Sequence, residues 1–266
     1  MPEQTFGGDD DSSGSKPKPV AKKKIKLDKF GLRPDINPRD VFWKIMASYA
    51  ATKKPGMDLF SLQNEMYSFI RISLSAISDP GSEQYGLAPK FIAQYTMMML
   101  IDAKWEDGFT EFLILSGDQK EEAKASITLG LKKLIEQEEY REVTIHTFAG
   151  ILRGRESVGV ALEYIAKMES VQLIEAVKKE LVIVARGDIG ENQLNAIKAI
   201  KVIKADPEVK KSFIVLLSHW DMETRMATVE ALEPLKTDPE IRSAIEKRLP
   251  LETNEKIKTE LAKLLK

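Results

Sequence analysis

The fold is decided by the stretch HWDMETRMATVEALEPLKTDPEIRSAIEKRL, residues 219–249. Apolar side chains in its first part recur every three or four residues, which is typical of one buried face of an α-helix. They are Met222, Met226, Val229, Leu232 and Leu235. Asp238 then precedes Pro239, and this pair favours a helix start because the carboxylate accepts free backbone N–H groups where proline offers none. A second apolar set completes the predicted helix pair: Ile241, Ile245 and Leu249.

This helix pair recurs along the chain at a fixed 32-residue interval. The run Asp206-Pro207-Glu208-Val209 returns at that interval as Asp238-Pro239-Glu240-Ile241. The predicted starts of the preceding helices, near Gly190, Met222 and Asn254, keep the same interval and extend it back to Val158. Such a period is typical of a solenoid, in which each repeat buries its apolar face against its neighbours.

Residues 118–187 keep the predicted helix pairs but lack the Asp-Pro turn. Helices are expected at Ser157–Met168 and Val171–Ala185. Two acidic pairs have the spacing of a capping box, in which side chains at the N-cap and at the third helical position bond free backbone N–H groups. These pairs are Asp118 with Glu121 and Asp188 with Glu191. We therefore expect Asp118 and Asp188 to cap helices.

Residues 188–266 resemble the HEAT and HEAT-like (armadillo-type) helical repeat family, and residues 118–187 resemble it more loosely. The resemblance rests on Asp221, Arg225, Ala227, Ala231-Leu232, the turn at Asp238 and a new start at Thr253–Lys256. It implies an all-α fold, a right-handed α-solenoid of helix-pair repeats over residues 118–266. In this family the Asp and the Arg commonly support the stacking of neighbouring repeats, so the resemblance implies structural roles for Asp221 and Arg225.

Residues 30–117 also predict helices but do not follow the 32-residue interval. The helices are expected from Asn37-Pro38 onward, over Asp58–Ser78, over Pro89–Ala103 and around Phe109–Leu115. Most of the aromatic residues lie in this region. We therefore predict an N-terminal helical bundle, or a diverged cap that covers one end of the repeat array.

Residues 1–29 hold few apolar residues and two blocks of opposite charge, about −4 and then about +6. A segment of this composition cannot bury enough surface to offset its chain entropy, so a disordered tail is predicted. Its lysines are candidate contacts to nucleic acid, an anionic protein surface or lipid headgroups, and the simpler interpretation is a solubilising extension. The candidates are Lys22, Lys23, Lys24 and Lys26.

A second basic streak lies inside the predicted repeats. Lys198, Lys201 and Lys204 follow one another at three-residue spacing and are also candidate contacts to an anionic partner. Glu191 and Glu208 flank them. A solvated helix face is the simpler interpretation of such a mixed sequence.

The composition argues against several kinds of functional site. The 266 residues include no cysteine, which excludes disulfide frameworks, iron–sulfur ligation and a thiol nucleophile. The two histidines, His146 and His219, fall in different repeats and outside any zinc motif, so no metal is expected. Gly154–Val160 has glycines at Walker-like spacing, but valine and alanine follow where phosphate binding needs lysine and Ser or Thr. Neither catalytic residues nor a cofactor are predicted, and this loop is interpreted as a bend between repeats.

No apolar run approaches the roughly 20 residues that a membrane-spanning helix needs, and the N-terminus has no secretory pattern. With the missing cysteines, these features favour the cytoplasm.

The function that these features favour is a non-catalytic protein-binding or scaffold protein that uses the exposed surface of its repeats. One alternative is nucleic-acid binding through the lysine-rich tail. A less favoured alternative is a HEAT-like enzyme such as an alkylpurine DNA glycosylase or a biliprotein lyase. The first of these classes uses a basic concave surface with an Asp, and Asp221 is better explained by the repeat.

Overall fold

The computed structural model describes residues 42, 47, 63–79, 88–103, 105–154 and 157–266. These residues form thirteen α-helices and no strand, as the all-α prediction requires. The helices are α1 (Gln63–Ser78), α2 (Pro89–Asp102), α3 (Glu106–Ser116), α4 (Glu121–Glu136), α5 (Glu138–Arg153), α6 (Val158–Met168), α7 (Val171–Ala176), α8 (Lys178–Gly187), α9 (Gly190–Ile200), α10 (Pro207–Leu216), α11 (Met222–Leu232), α12 (Pro239–Arg248) and α13 (Glu255–Leu264). Short 3-10 turns follow α9, α11 and α12.

The helices stack in two rows. In the A row, α2, α4, α6, α9, α11 and α13 each pack against the next, and in the B row the same holds for α3, α5, α8, α10 and α12. Helices that follow one another in sequence, such as α8 and α9, pack across the two rows. This is the solenoid that the helix pairs predict, because each helix buries its apolar stripe against the other row and against its neighbours. The right-handed twist stays a prediction.

The A-row starts follow the expected 32-residue interval. Helices α6, α9 and α11 begin at Val158, Gly190 and Met222, and α13 begins at Glu255, one position later than the strict interval would place it. The equivalent apolar positions are buried in each repeat, among them Ile197, Val229 and Leu261. The repeat period is therefore confirmed.

The predicted helix starts at the two Asp-Pro pairs are confirmed, whereas the prediction of two capping boxes is wrong. Asp206 accepts from the N–H groups of Glu208 and Val209 at the start of α10, and Asp238 does the same for α12. By contrast, Lys120 occupies the N-cap position of α4 and Ile189 that of α9. Neither the Lys120 nor the Ile189 side chain forms a capping hydrogen bond.

Asp188 lies one residue too early to cap α9. Its Oδ1 atom accepts from the N–H of Ile189 at 2.8 Å, and its Oδ2 atom accepts from the Asn192 side chain at 3.1 Å. The carboxylate is therefore used inside the loop, because Gly190, the first residue of α9, has φ 64° and redirects the chain at the helix start. Asp118 is exposed in the loop before α4.

The helix expected over Val171–Ala185 is divided in two. Helix α7 begins after Ser170, whose side chain accepts from the N–H of Leu173, and the helical backbone angles are interrupted at Val177, at φ −105° and ψ 17°. Val177 itself is fully buried, and α8 resumes at the next residue. Both segments thus contribute to the same apolar interior.

The described part of the N-terminal region packs on the array. Helix α2 lies against α4, and their backbones are close at Gly130, where an added Cβ would lie 2.9 Å from the Gln94 nitrogen. The predicted boundary after residue 117 falls in the loop between α3 and α4, and the division into domains stays a prediction. The expected helix from Asn37 and the start expected at Asp58 lie outside the described residues, although Phe42 and Ala47 are helical.

The charged segment of residues 1–29 also lies outside the described residues, so its disorder stays a prediction. No helix in the described ranges combines the length and apolar character needed to cross a membrane.

Candidate functional site

The most distinctive exposed surface is formed by α8, α10 and α12, and we call it the B-row face. Ile183 on α8 and Val215 on α10 occupy the same position of successive repeats and are 69% and 51% exposed. A large apolar side chain left in water at the same position of two repeats is unfavourable for an isolated array, because its transfer out of water would be stabilising. The pair marks this face as a candidate binding surface.

Two grooves run between the helices of the B-row face. The first, of about 440 Å³, lies between α8 and α10 and includes Lys179, Val182, Ile183, Arg186 and Glu208. The second, of about 460 Å³, lies between α10 and α12 and includes Ile214, Ala244, Glu240, Lys247 and Arg248. Both are open clefts with an apolar floor and charged rims.

The two grooves are equivalent parts of successive repeats. Val182 and Ile214 are related by the 32-residue interval on the groove walls, and so are the rim residues Glu208 and Glu240. Each groove also carries two cationic side chains to one carboxylate. The cations lie on α8 in the first groove and on α12 in the second, so what recurs one repeat apart is the apolar wall residue and the rim carboxylate.

The separation of the B-row helices is held by a repeated ion pair. The Lys178 ammonium lies 2.8 Å from Asp206 Oδ2, and the Lys210 ammonium lies 2.6 Å from Asp238 Oδ2. The hydrogen bond from Lys178 lowers the pKa of Asp206, and the one from Lys210 lowers the pKa of Asp238. Each carboxylate thus caps its own helix and binds the preceding one. In the third repeat, Arg242 donates instead to the carbonyl of Leu265 at 2.9 Å.

Asp221 and Arg225 have the structural roles that the repeat family implies. Asp221 caps α11 by accepting from the N–H of Thr224 at 2.7 Å. The buried Arg225 guanidinium donates to both carboxylate oxygens of Glu252 and to the carbonyls of His219 and Trp220. The Arg225 side chain therefore connects the loop before α11 with the loop that leads into α13.

The basic streak in the repeats lies on the A row, away from the grooves. Lys198 is exposed on α9, while Lys201 and Lys204 are half-buried just beyond it. Within the described ranges, none of the three forms an ion pair. The corresponding positions of the next repeat hold Glu230, Glu233 and Lys236, so the basic streak does not recur. Their role as anionic-partner contacts stays a prediction.

The tail candidates Lys22, Lys23, Lys24 and Lys26 lie outside the described residues. The structure therefore does not bring them together with Lys198, Lys201 and Lys204, nor with either groove.

Other chemistry has little to build on in the described part of the chain. No group of three or more His, Asp or Glu side chains there could hold a metal ion. Gly154 follows the end of α5, and Val158–Val160 form the start of α6, so the Walker-like segment spans the boundary between two helices.

The exposed apolar residues of the B-row face were missed by the sequence reasoning. Ile183 and Val215 sit within apolar runs, where the helical stripe predicts core positions. The sequence does distinguish them in one respect. Both lie off the apolar stripe of their helix, and they are separated by the 32-residue interval.

Comparison with known proteins gives distant structural likenesses. No family model matches the chain, and no curated protein does. A designed armadillo repeat protein in complex with the peptide (KR)4 is similar at 14% identity and a TM-score of 0.41, over 73% of this chain and 96% of that chain. The fold described here rests on the helix pairs and their packing within this chain.

Proposed function

We propose that this chain is a protein-binding or scaffold protein whose B-row face receives an extended segment of a partner protein. The observation that carries the proposal is the recurrence of a groove with equivalent residues in two successive repeats, on a face that also exposes Ile183 and Val215. A surface that repeats along an array suits a ligand that is itself elongated.

The spacing of the grooves favours an extended chain. Neighbouring packed helices lie about 8–10 Å apart, and an extended polypeptide advances about 3.3 Å per residue. Side chains about three residues apart in a partner can therefore reach successive grooves. Burial of Ile183 and Val215 would supply affinity, and the charged rims would select and orient the partner.

The proposal is tested by quantitative affinity capture from a lysate of the source cells, with full-length protein and the double variant Ile183→Asp, Val215→Asp. We expect specific proteins to be recovered with the natural chain and lost with the variant, since a buried unpaired carboxylate disfavours docking. The binding of each such protein is then measured with purified components by calorimetry.

The matched control is Leu129→Asp, because Leu129 on α4 is also an exposed apolar residue, 49% accessible, but lies outside the B-row face. Circular dichroism and thermal unfolding check that all variants remain folded. An unchanged set of captured proteins, or equal losses with Leu129→Asp, would contradict the proposal.

The alternative of nucleic-acid binding through the tail has its basis in the lysines of residues 16–29. It predicts weak, steeply salt-dependent binding with little sequence preference. A nucleic-acid binding measurement at two salt concentrations, on the full chain and on a chain without residues 1–29, separates the two functions. Binding that disappears with the tail and persists in the B-row variant would favour the alternative.

A further inference from the structure

A second exposed surface runs along the loops that lead into the A-row helices, and we call it the loop edge. Three large apolar side chains at 31-residue spacing protrude from it: Ile189 (67% exposed), Trp220 (77%) and Leu251 (67%). Each lies shortly before the start of α9, α11 or α13. The edge therefore presents one apolar side chain per repeat.

The three loops lie side by side because the first turns of the A-row helices are bonded together. Thr224 Oγ donates to Gln193 Oε1 at 2.6 Å, which joins α11 to α9. Asn254 Nδ2 lies 2.9 Å from the sulfur of Met222, which joins the start of α13 to that of α11. Met222 is itself 48% exposed and extends the apolar row.

Trp220 is held in its exposed position. Its carbonyl accepts from Arg225 Nη1 at 2.9 Å, and its ring lies 5.3 Å from the ring of His219 at 34°. The His219 ring is fixed in turn, since its Nδ1 atom accepts from the N–H of Asp221 at 3.2 Å. An exposed indole that is already ordered loses little conformational entropy when a partner covers it.

Carboxylates accompany the apolar row. Glu191, Glu223 and Glu255 lie at the same first-turn position of α9, α11 and α13, and all three are exposed. Each favours its own helix through the helix dipole. Within the described ranges, Glu191 and Glu223 form no ion pair, and Glu255 lies 3.7 Å from the Lys258 ammonium. Lys256 is the exposed cation of these first turns, so their exposed side chains carry a net negative charge, and the exposed Arg186 lies beside the first loop at the end of α8.

We propose that the loop edge binds a basic, apolar segment of a partner protein in extended form. The apolar row supplies the buried contact, with Trp220 at its centre, and the carboxylates pair with lysine or arginine on the segment. The indole face also attracts a cation directly. This surface is separate from the grooves of the B-row face, apart from Leu251, which borders the second groove. The inference does not depend on the function proposed above.

The repeat spacing specifies a simple probe. One apolar residue in every three matches the distance of about 8–10 Å between neighbouring A-row helices when the segment is extended. We choose the fluorescein-labelled peptide (KKL)4, with (EEL)4 and (KKS)4 as the peptides of reversed charge and of reduced apolar area. Binding is measured by fluorescence anisotropy on the full chain at low and moderate salt.

The expected result is that (KKL)4 binds and that (EEL)4 and (KKS)4 bind at least about tenfold more weakly. Trp220→Ser should weaken the binding of (KKL)4 by about tenfold. Glu223→Lys should weaken it and flatten its salt dependence, because one carboxylate is lost and one cation is gained.

Two control variants separate the loop edge from other surfaces. Glu230→Lys changes an exposed carboxylate of the same helix at its opposite end, and Val215→Ser changes the B-row face. Both should bind (KKL)4 as the natural chain does. Failure of (KKL)4 to bind, equal binding of (EEL)4, or an unchanged affinity in Trp220→Ser overturns the proposal.

A second copy of this chain is the competing occupant, because its own tail is rich in lysine. Sedimentation of the full chain, of Trp220→Ser and of a chain without residues 1–29 decides this point. A monomer in all three supports a partner segment. Self-association that both changes abolish assigns the edge to a second copy and overturns the proposal.

Discussion

Arg225 and Glu252 form a buried two-point ion pair between α11 and the loop before α13. Arg225 Nε lies 2.9 Å from Glu252 Oε2, and Nη2 lies 3.1 Å from Oε1. Arg248 adds a second cation at 2.8 Å, so the buried carboxylate is fully compensated. The remaining Arg225 donors hold the carbonyls of the loop that carries Trp220. The pair thus links stability to the shape of the loop edge.

Arg225→Met should be strongly destabilising. Removing one partner of a buried pair leaves a charge that is not fully compensated, which costs about 3–5 kcal/mol, and Arg248 should keep the loss near the lower end of that range. Urea unfolding monitored by circular dichroism measures the change. Lys258→Met is the control, because its pair with Glu255 is exposed and contributes about 0–1 kcal/mol. Equal losses in the two variants would mean that Arg225 has no special role.

The chain should lose stability in acid. Hydrogen bonds from Lys178 and from the Thr224 N–H hold the pKa values of Asp206 and Asp221 below the ordinary value. Burial raises the pKa of Glu252, but the hydrogen bonds from Arg225 and the Asn254 N–H and the charges of Arg225 and Arg248 together outweigh this, and the net shift is downward.

A carboxyl whose folded pKa is lowered stabilises the fold above its unfolded pKa, about 3.9 for Asp and 4.3 for Glu, and this contribution is lost as the pH falls through the folded value. The free energy of unfolding should therefore fall from about pH 4.5 downward. Urea titrations between pH 3 and pH 7 measure it. Asp206→Asn should show a shallower loss, and a chain that gains stability from pH 5 to pH 3 would contradict the assignment.

The two functions of Asp206 can be separated. Asp206→Ala removes both the cap of α10 and the partner of Lys178, and loss of the cap alone should cost about 1–2 kcal/mol. Lys178→Met leaves the cap in place and should be less destabilising, because a partly exposed ion pair contributes little. Thermal unfolding of both variants tests this order. A larger loss in Lys178→Met would show that the ion pair matters more than the cap.

Substitution by alanine should lower the free energy of unfolding at Gly130 and raise it at Gly150. A Cβ on Gly130 would lie 2.9 Å from the Gln94 nitrogen and from the Met97 methyl, so α2 and α4 must move apart at a cost of about 1–3 kcal/mol. A Cβ on Gly150 meets nothing within 4 Å, and helix propensity should then add about 0.5–1 kcal/mol of stability. Urea unfolding of Gly130→Ala and Gly150→Ala measures both signs. If Gly130→Ala is neutral, the close packing of α2 on α4 is not needed for stability.

The sequence determined the elements that depend on neighbouring residues. Asp206 and Asp238 cap their helices because the carboxylate, the proline and the free N–H groups lie within one helical turn of one another. The 32-residue interval fixed where Gly190 and Met222 begin helices, since each repeat has the same local pattern. The failure at Asp188 shows the limit of such patterns, because the helix starts on the repeat interval and Ile189, not the carboxylate, occupies the cap position.

The tertiary structure decided which apolar residues are exposed and which charged residues pair. Ile183, Val215 and Trp220 belong to the same apolar class as the core residues, and only the stacking of helices leaves them exposed while Ile197 and Val229 are buried. The pairing of Lys178 with Asp206 and of Arg225 with Glu252 joins residues 27 or 28 positions apart, which no local pattern specifies. Local hydrogen bonding and periodicity fix the helices, whereas grooves, ion pairs and exposed rows exist only after one repeat has packed on the next.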